Sequence, residues 1–365
     1  AAMYVYTPVF PVYAGVLGAS MSTIGLAVGT YGLTQMLLRI PLGVWSDALG
    51  KRRIFVVAGM LVCAGGAVGF AFSPSPFWLV LFRGVMGVAA ASWVCSTVLF
   101  TSYFPGRHPS LPLSIMTFAQ SLDLIVAATT GGEIAQRFGW IAPFWASCAL
   151  AIVAALVLSQ VPDDTTARAM PVTREGMART LRSSSLIFAC LLGVIMQFVG
   201  WSTVNGFMPV LAAERFAATR AQLGYLQTVG LIAHSLLTLI TPRLVVRVGE
   251  MRSLGLSLAL LTVGILPTPL VSGLGGLMLL QVFNGAGRGL IYPLLLSLSI
   301  KMTAPQDRAS AMGIFQAVYA LGMFVGPWLS GFVAESAGLD AVFIMCGLLS
   351  AICLPLVALT REETT

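Results

Sequence analysis

Long apolar runs alternate with short polar turns over the whole length of the chain. Each run is about twenty residues long, which is the length that an α-helix needs to cross a bilayer. The runs are continuous and do not alternate in polarity, so they predict helices rather than the strands of a membrane β-barrel. Bounded by Gly, Pro or charge, they give twelve predicted spans, near 1–18, 22–45, 53–72, 77–104, 111–136, 139–160, 185–212, 221–246, 251–271, 275–302, 309–334 and 338–360.

One polar segment, residues 161–184, is longer than the other turns and lies between the sixth and seventh spans. It predicts an N-terminal six-helix bundle (1–160), a linker (161–184) and a C-terminal six-helix bundle (185–365). The first span has no start signal before it, so we expect that helix 1 is truncated in this sequence.

The two predicted bundles repeat each other at an offset of about two hundred residues. Gly and Pro recur at matched positions, which predicts matched bends and matched close helix crossings. The fold predicted from this pattern is an all-α polytopic membrane protein with twelve transmembrane helices in two pseudo-symmetric six-helix bundles. The matched pairs include Pro11 and Pro209, Gly25 and Gly224, Pro41 and Pro242, Gly87 and Gly287, and Gly132 and Gly331.

Composition agrees with this fold, because 58% of the residues are hydrophobic and 9% are charged, with a mean hydropathy of +0.92. A soluble domain has about a quarter charged residues. The six cysteines lie inside apolar runs without Cys-x-x-Cys spacing, so we read them as packing residues and expect no metal and no cofactor. No Walker A sequence is present, so ATP is not the expected energy source.

The net charge of +7 would suit an acidic partner, but the placement of the cations indicates a bilayer instead. Lys and Arg concentrate in alternate loops and tails, as the positive-inside rule requires for cytoplasmic segments. We therefore expect no nucleic-acid partner. The expected location is the cell inner (plasma) membrane, with the linker and the turn at Asp47 in the cytoplasm.

The turn between the second and third spans reads Gly-Val-Trp-Ser-Asp-Ala-Leu-Gly-Lys-Arg-Arg from residue 43 to residue 53. It resembles the loop between helices 2 and 3 of the major facilitator superfamily of secondary transporters, and it departs from that pattern at Ala48. The resemblance implies alternating access, a monomer, and a gate at this turn. The residues assigned to gating are Gly43, Asp47, Gly50, Lys51, Arg52 and, in the incoming helix, Arg39.

A charged residue inside hydrocarbon costs several kcal/mol unless it faces a partner or a water-filled cavity, so each one is a functional hypothesis. Arg39, Arg83, Asp123 and Arg288 fall inside predicted spans. Arg83 stands in a stretch that resembles the family's helix 4 motif, which implies proton coupling, with Asp123 as the mid-depth carboxylate that would carry the proton. A purely structural ion pair between Asp123 and one of the three arginines remains the alternative.

Polar and aromatic residues at helical spacing form stripes on several spans, and these stripes predict a lined cavity. Such residues can also be interhelical contacts worth about 0.6 kcal/mol each, and that alternative stays open for the Gln and Asn positions. Arg288 with Tyr292 is the sharper pair, because helix packing does not require a guanidinium. The candidate substrate-binding residues are Arg288, Tyr292, Asn284, Gln120, Gln197, Asn205, Tyr6, Tyr13 and Gln316.

The leading functional hypothesis is a proton-coupled secondary transporter for a small organic or amphipathic solute. The motifs are most similar to those of drug/proton antiporters, which favours an exporter, although the family's exporter motif is only half present at Gly131 and Gly132. Because Arg39, Arg83 and Arg288 outnumber Asp123, an organic anion symporter or exchanger is the runner-up. A lipid or lysolipid flippase is a further alternative. An enzyme is not expected, since no nucleophile and base pair up in the sequence.

Overall fold

The computed structural model describes residues 1–104, 110–163, 183–301, 303 and 308–359, and the described residues are helical with no strand. Residues 201–207 form a π-helical turn and residues 268–270 a short 3₁₀ turn. The α-helices are α1 (Phe10–Val16), α2 (Met21–Leu49), α3 (Arg52–Ala71), α4 (Pro76–Ala91), α5 (Trp93–Ser102), α6 (Ser110–Phe138), α7 (Ala142–Ser159), α8 (Ser184–Gly200), α9 (Met208–Phe216), α10 (Arg220–Val248), α11 (Glu250–Ile265), α12 (Leu274–Lys301), α13 (Arg308–Ala337) and α14 (Leu339–Leu359).

Each of the twelve predicted spans contains at least one of these helices. Within the described part of the chain, eight helical segments are long and apolar enough to cross a membrane. Large apolar side chains face outward, among them Phe118 on α6, Leu156 on α7 and Leu239 on α10. An outer surface of this kind suits lipid rather than water.

Two of the sharpest turns use glycine in a backbone conformation that other residues avoid. Gly50 ends α2 with φ of +61° and Gly249 ends α10 with φ of +89°. A side chain at such a position is strained, so glycine is the residue that allows an immediate return into the next helix. The two turns occupy matched positions in the two halves, which is consistent with the sequence repeat.

Three spans are interrupted in ways that the hydrophobic pattern does not reveal. The fourth breaks at Ser92 between α4 and α5. The seventh passes through the π-helical turn that begins at Trp201, one residue after Gly200. The first consists of turns up to Val9 and becomes regular helix only at Phe10, because Pro8 and Pro11 supply no backbone N–H donor.

The two halves meet through glycines on two helix pairs, α2 with α13 and α6 with α10. A Cβ atom on Gly25 of α2 would lie 2.1 Å from the carbonyl oxygen of Pro327. A Cβ atom on Gly224 of α10 would lie 2.6 Å from the carbonyl oxygen of Ala128, and Gly132 packs against Gly224 itself. The matched glycines Gly25 and Gly224 therefore make equivalent close crossings, as a pseudo-symmetric pair of bundles requires.

Two parts of the predicted architecture lie outside the described residues. The structure describes the linker predicted at 161–184 only at its first and last positions, and residues 164–182 lie outside the described part. Asp47 lies within α2, but its side chain is also outside the described part of the structure. The division into 1–160, 161–184 and 185–365 stays a prediction.

Candidate functional site

A cavity of about 1170 Å³ lies between the two halves of the molecule. Its walls come from both halves, mainly from residues 1–4, α2, α5, α6 and α7 on one side and from α8, α12 and α13 on the other. Ligand cavities for drug-sized molecules are typically about 300–1,000 Å³, so this one has room for a larger solute. The lining reaches Tyr103 and Val161, at the end of the molecule where the linker begins, which we call the linker end.

The opposite end of the cavity, which we call the closed end, is sealed by contacts between the halves. Besides the glycine crossings, the Arg220 backbone N–H donates to the side-chain oxygen of Gln136 at 3.1 Å, and its guanidinium lies 4.3 Å from the centre of the Trp140 ring. The Ser22 N–H donates to Glu335 at 3.2 Å, and the Tyr225 hydroxyl donates to Glu133. The cavity therefore opens toward the linker end in this structure.

Arg288 of α12 places its guanidinium in the cavity wall without a described hydrogen-bond or ion-pair partner. Gly200, at the end of α8, makes room for it, because a Cβ atom there would lie 3.4 Å from the Arg288 Nε. His234 of α10 lies nearby and also lines the cavity. A cation that protein groups leave uncompensated at this depth is suited to meet a negative group of a solute.

Arg39 of α2 connects the two halves at the same cavity. Its guanidinium donates to the side-chain oxygen of Gln35 at 2.5 Å, to that of Gln316 at 3.0 Å and to the Tyr319 hydroxyl at 3.3 Å. All of these partners are neutral, so the positive charge of Arg39 is hydrogen-bonded but not cancelled. The predicted ion pair of Arg39 with Asp123 is not among the described ion pairs.

Asp123 of α6 is the carboxylate among the described residues that line the cavity. It contacts the backbone nitrogen of Ala1, and no Lys or Arg side chain pairs with it in the described part of the chain. Asp123 and Arg288 thus share one cavity while neither neutralises the other. With Arg39 included, the described part of the cavity wall carries two guanidinium groups for one carboxylate.

Arg83 of α4 is 3% exposed and is not among the residues that line the cavity. Its guanidinium donates to the Tyr6 hydroxyl at 2.6 Å and lies 4.6 Å from the centre of the Tyr31 ring and 5.1 Å from that of Phe10. The aromatic faces stabilise this charge through their quadrupoles, so no carboxylate is needed beside it. Its predicted coupling to Asp123 stays a prediction.

The remaining predicted substrate-binding residues divide between the cavity and the packed interior. Gln120, Gln197, Tyr292 and Gln316 line the cavity. The other four, Tyr6, Tyr13, Asn205 and Asn284, are not among its lining residues.

The second group is placed elsewhere by packing. Tyr13 packs against the Trp140 and Phe144 rings. Asn284 is fully buried where α12 crosses Gly264 of α11, and neither polar atom of its side chain has a described partner. Side chains on one helix stripe can point into a cavity or into a helix crossing, and the stripe alone does not distinguish these two environments.

Other cavity-lining residues were not among the candidates. Tyr31 and Gln35 lie eight and four residues before Arg39 on α2, so one helix face carries all three side chains into the cavity. That spacing was available in the sequence. Trp201 stacks on Tyr31 across the two halves, with ring centres 5.3 Å apart, and this contact could not be read from either segment alone.

The comparisons with known proteins agree with this geometry. The family model described as Major Facilitator Superfamily matches residues 1–199 and again residues 190–365, which together cover the chain. The chain belongs to the Major Facilitator Superfamily. Its predicted fold class, twelve transmembrane helices in two pseudo-symmetric bundles, is thereby confirmed. The chain is a multi-pass membrane transporter that works by alternating access, and the structure shows a state that is open at the linker end.

Individual members of the superfamily are similar over nearly the full chain. The inner membrane transport protein YajR of Escherichia coli (strain K12) is 25% identical over 376 residues, which are 99% of this chain and 80% of that protein. A bacterial homologue of the human lysosomal transporter Spinster, solved in an inward-facing and unoccupied conformation, superposes with a TM-score of 0.83 at 15% identity, over 99% of this chain and 93% of that one. The human organic anion transporter MFSD10 superposes with a TM-score of 0.70 at 18% identity, over 98% of this chain and 96% of that one.

The superfamily hairpin at the linker end is held by hydrogen bonds to the start of the linker. The Arg53 backbone N–H donates to an Asp163 carboxylate oxygen at 3.2 Å, and the Arg53 side chain donates to the carbonyl of Val161 at 2.9 Å. Gly43 packs against Val94, because a Cβ atom added to Gly43 would lie 3.5 Å from the Val94 Cγ1 atom. Lys51 is exposed and Arg52 is buried. The gating roles of this group stay predictions.

Proposed function

We propose that this transporter carries a small organic anion, whose negative group binds Arg288 with help from Arg39. The observation that carries the proposal is the Arg288 guanidinium, which lies in the central cavity without a described protein partner. A buried charge without a partner is destabilising, and a solute carboxylate, sulfonate or phosphate would complete the site through paired N–H donors. One transporter with this fold, MFSD10, is described as an organic anion transporter, so the fold accommodates such solutes.

Aromatic and amide side chains around the two arginines suit the rest of such a solute. Trp201, Tyr292 and Tyr319 supply apolar faces with polar edges, and Gln197 and Gln316 supply amide groups. Cavities that select small molecules combine these two kinds of surface, with a few polar groups fixing the orientation of the ligand. The arrangement favours an anion with an organic body over inorganic phosphate or sulfate.

The proposal is tested by ligand-induced stabilisation of the purified protein in nanodiscs. Benzoate, benzenesulfonate and phenyl phosphate are compared with benzylamine and benzyl alcohol of similar size, and thermal unfolding is followed. We expect stabilisation by at least one anion class. In Arg288→Gln that affinity should fall about tenfold or more, because a charge-assisted hydrogen bond contributes about 1.5–3 kcal/mol. The affinity of Arg288→Lys for the anion should lie between those of the unmodified protein and Arg288→Gln, since lysine keeps the charge but lacks the planar guanidinium that donates two parallel hydrogen bonds.

The matched control is Arg243→Gln, which removes an exposed cation outside the cavity. This variant should bind the anions as the unmodified protein does. Equal binding of cations, neutral solutes and anions, or anion binding that is unchanged in Arg288→Gln, would contradict the proposal.

We further propose that transport is coupled to protons through Asp123, because among the described residues it is the carboxylate that shares the cavity with Arg288. A carboxylate in such a cavity can take up a proton in one state and release it in the other. Uptake into proteoliposomes should respond to a pH gradient, and Asp123→Asn should abolish that response while solute binding persists. The control Asp340→Asn alters an exposed carboxylate that pairs with Arg215. Coupling that persists in Asp123→Asn would exclude this role.

We propose export as the direction, with the linker end in the cytoplasm as the distribution of Lys and Arg indicates. A membrane potential that is negative inside drives an anion outward by about 2.3 kcal/mol per charge for each 100 mV. The state described here would then accept the solute from the cytoplasm. Everted membrane vesicles should accumulate the anion faster than right-side-out vesicles at equal potential; the reverse order would indicate an importer.

A further inference from the structure

The cavity is not confined to the interface between the two halves, because it continues sideways between α6 and α7. Met116 and Ala119 of α6 line one side of this extension, and Val153 and Val157 of α7 line the other. Val153 and Val157 are also 57% and 58% exposed. The extension, which we call the lateral opening, is therefore accessible and lined by apolar side chains.

The lateral opening exists because most described residues in the first half of α6 are not buried, although Pro112 near its start is. Within the main apolar core, the described residues of α6 that are buried are Ala127 and Ala135, both in its second half. Nearer the linker end, Phe118 and Leu122 are exposed. This part of α6 therefore leaves apolar side chains uncovered by other described residues.

The second wall, α7, packs with one face and leaves another face uncovered. Ala151 and Ala155 are buried in the protein, whereas Val153, Ala154 and Val157 line the lateral opening. Small residues on the packed face allow close contact, and aliphatic residues on the other face form an apolar wall that no described residue covers. An alkyl chain has the chemistry that this wall matches.

We propose that the substrate is a single-chain amphiphilic anion, with its head group on Arg288 and Arg39 and its alkyl chain in the lateral opening. Two observations carry this assignment: the guanidinium groups and the apolar walls belong to one continuous cavity, and its volume of about 1170 Å³ exceeds what a drug-sized solute needs. The assignment rests on the proposed anion site and adds the alkyl chain to it.

The test compares two radiolabelled probes that share a head group, butanesulfonate and dodecanesulfonate. Binding is measured by scintillation proximity on the full chain in nanodiscs, with empty nanodiscs subtracted. The unmodified protein should bind dodecanesulfonate at least tenfold more tightly than butanesulfonate, since each buried methylene group strengthens binding. Filling the lateral opening by Ala154→Trp should remove most of this difference and leave butanesulfonate within about threefold of its original affinity.

The matched control on the same helix is Ala149→Trp, which adds the same side chain at an exposed position outside the cavity. It should preserve both affinities. Ala119→Trp fills the opening from the α6 side and gives an independent measurement if Ala154→Trp does not fold. A preference for the long chain that survives in both filled variants would overturn the alkyl-chain assignment.

A separate variant distinguishes this failure from failure of the anion site. Arg288→Gln should weaken both probes by a similar factor, because both carry the same sulfonate. If both probes bind Arg288→Gln normally, the anion site is overturned and the alkyl-chain assignment falls with it. If Arg288→Gln weakens both probes and the unmodified protein shows no preference for the long chain, the anion site stands and the amphiphile assignment is overturned.

Discussion

Two arginines inside the membrane-spanning helices, Arg83 and Arg288, are accommodated in opposite ways. Arg83 lies among aromatic rings and donates to the Tyr6 hydroxyl, and it is closed off from the cavity, although its Nε has no described hydrogen-bond partner. Arg288 faces the cavity without such partners among the described residues. An intramembrane charge therefore indicates a binding site only where it also faces the cavity.

The Tyr6 hydroxyl accepts the hydrogen bond that holds the buried Arg83 guanidinium. Tyr6→Phe keeps the ring but leaves a buried guanidinium donor without this 2.6 Å hydrogen bond, so we expect a loss of about 1.5–3 kcal/mol in unfolding free energy. The control in the same span is Tyr13→Phe, because the Tyr13 hydroxyl has no described hydrogen-bond partner. Denaturant unfolding in detergent measures both; equal losses would show that the hydrogen bond is not the cause.

The sequence predicted which residues carry charge into the membrane but not which of them meet the cavity. Arg83 and Arg288 stand in similar apolar contexts, and both are followed by small residues. Their environments differ because residues far away in the chain, such as Tyr6 for Arg83 and Gly200 for Arg288, come close only in the folded state. Long-range contacts of this kind have no local signal.

Single helices reveal the same division between what was predictable and what was not. The hydrophobic pattern located the spans, and the matched Gly and Pro residues located the crossings of α2 with α13 and of α6 with α10. The hydrophobic pattern did not locate the π-helical turn 201–207, because a widened turn changes the backbone hydrogen bonds without changing the hydrophobicity of the residues. This turn places Trp201 against Tyr31, so part of the cavity wall depends on it.

The crossing of α2 with α13 gives a prediction at the scale of one element. In Gly25→Ala the new Cβ atom would meet the carbonyl oxygen of Pro327 at 2.1 Å, and backbone cannot yield as a side chain can. We expect the closed end to separate. Double electron–electron resonance should show a longer distance between spin labels on Phe138→Cys and Leu270→Cys, which replace strongly exposed residues.

The control for this substitution is Gly65→Ala in α3, where nothing lies within 4 Å of the new Cβ atom. It should leave the label distance unchanged and add up to about 1 kcal/mol of stability, because alanine favours the helix. The labels report selectively, since the six native cysteines are buried. An unchanged distance in Gly25→Ala would mean that this crossing does not hold the closed end together.

For the molecule as a whole, alternating access requires that the contacts at the closed end be strong enough to hold and weak enough to break. The contacts described there are small in number and varied in kind: glycine crossings, hydrogen bonds to neutral and to charged groups, and one cation over an aromatic ring. No single one dominates, so each should shift the balance between the two states without abolishing either of them. Transport should therefore respond in a graded way to their removal.

Arg220 offers the sharpest test of this balance, because it joins the two halves in three ways. Its guanidinium lies over Trp140 and donates to the carbonyl of Ala135 at 3.1 Å, and its N–H donates to Gln136. Arg220→Gln removes the first two contacts, which together contribute about 1–2 kcal/mol. The population of molecules open at the closed end should rise roughly 5- to 30-fold, measured by the same spin-label distances.

Arg215→Gln is the matched control, because Arg215 pairs with Asp340 within one half and its loss should not change the label distances. If both variants shift the distances equally, loss of surface charge rather than loss of the link between the halves is responsible.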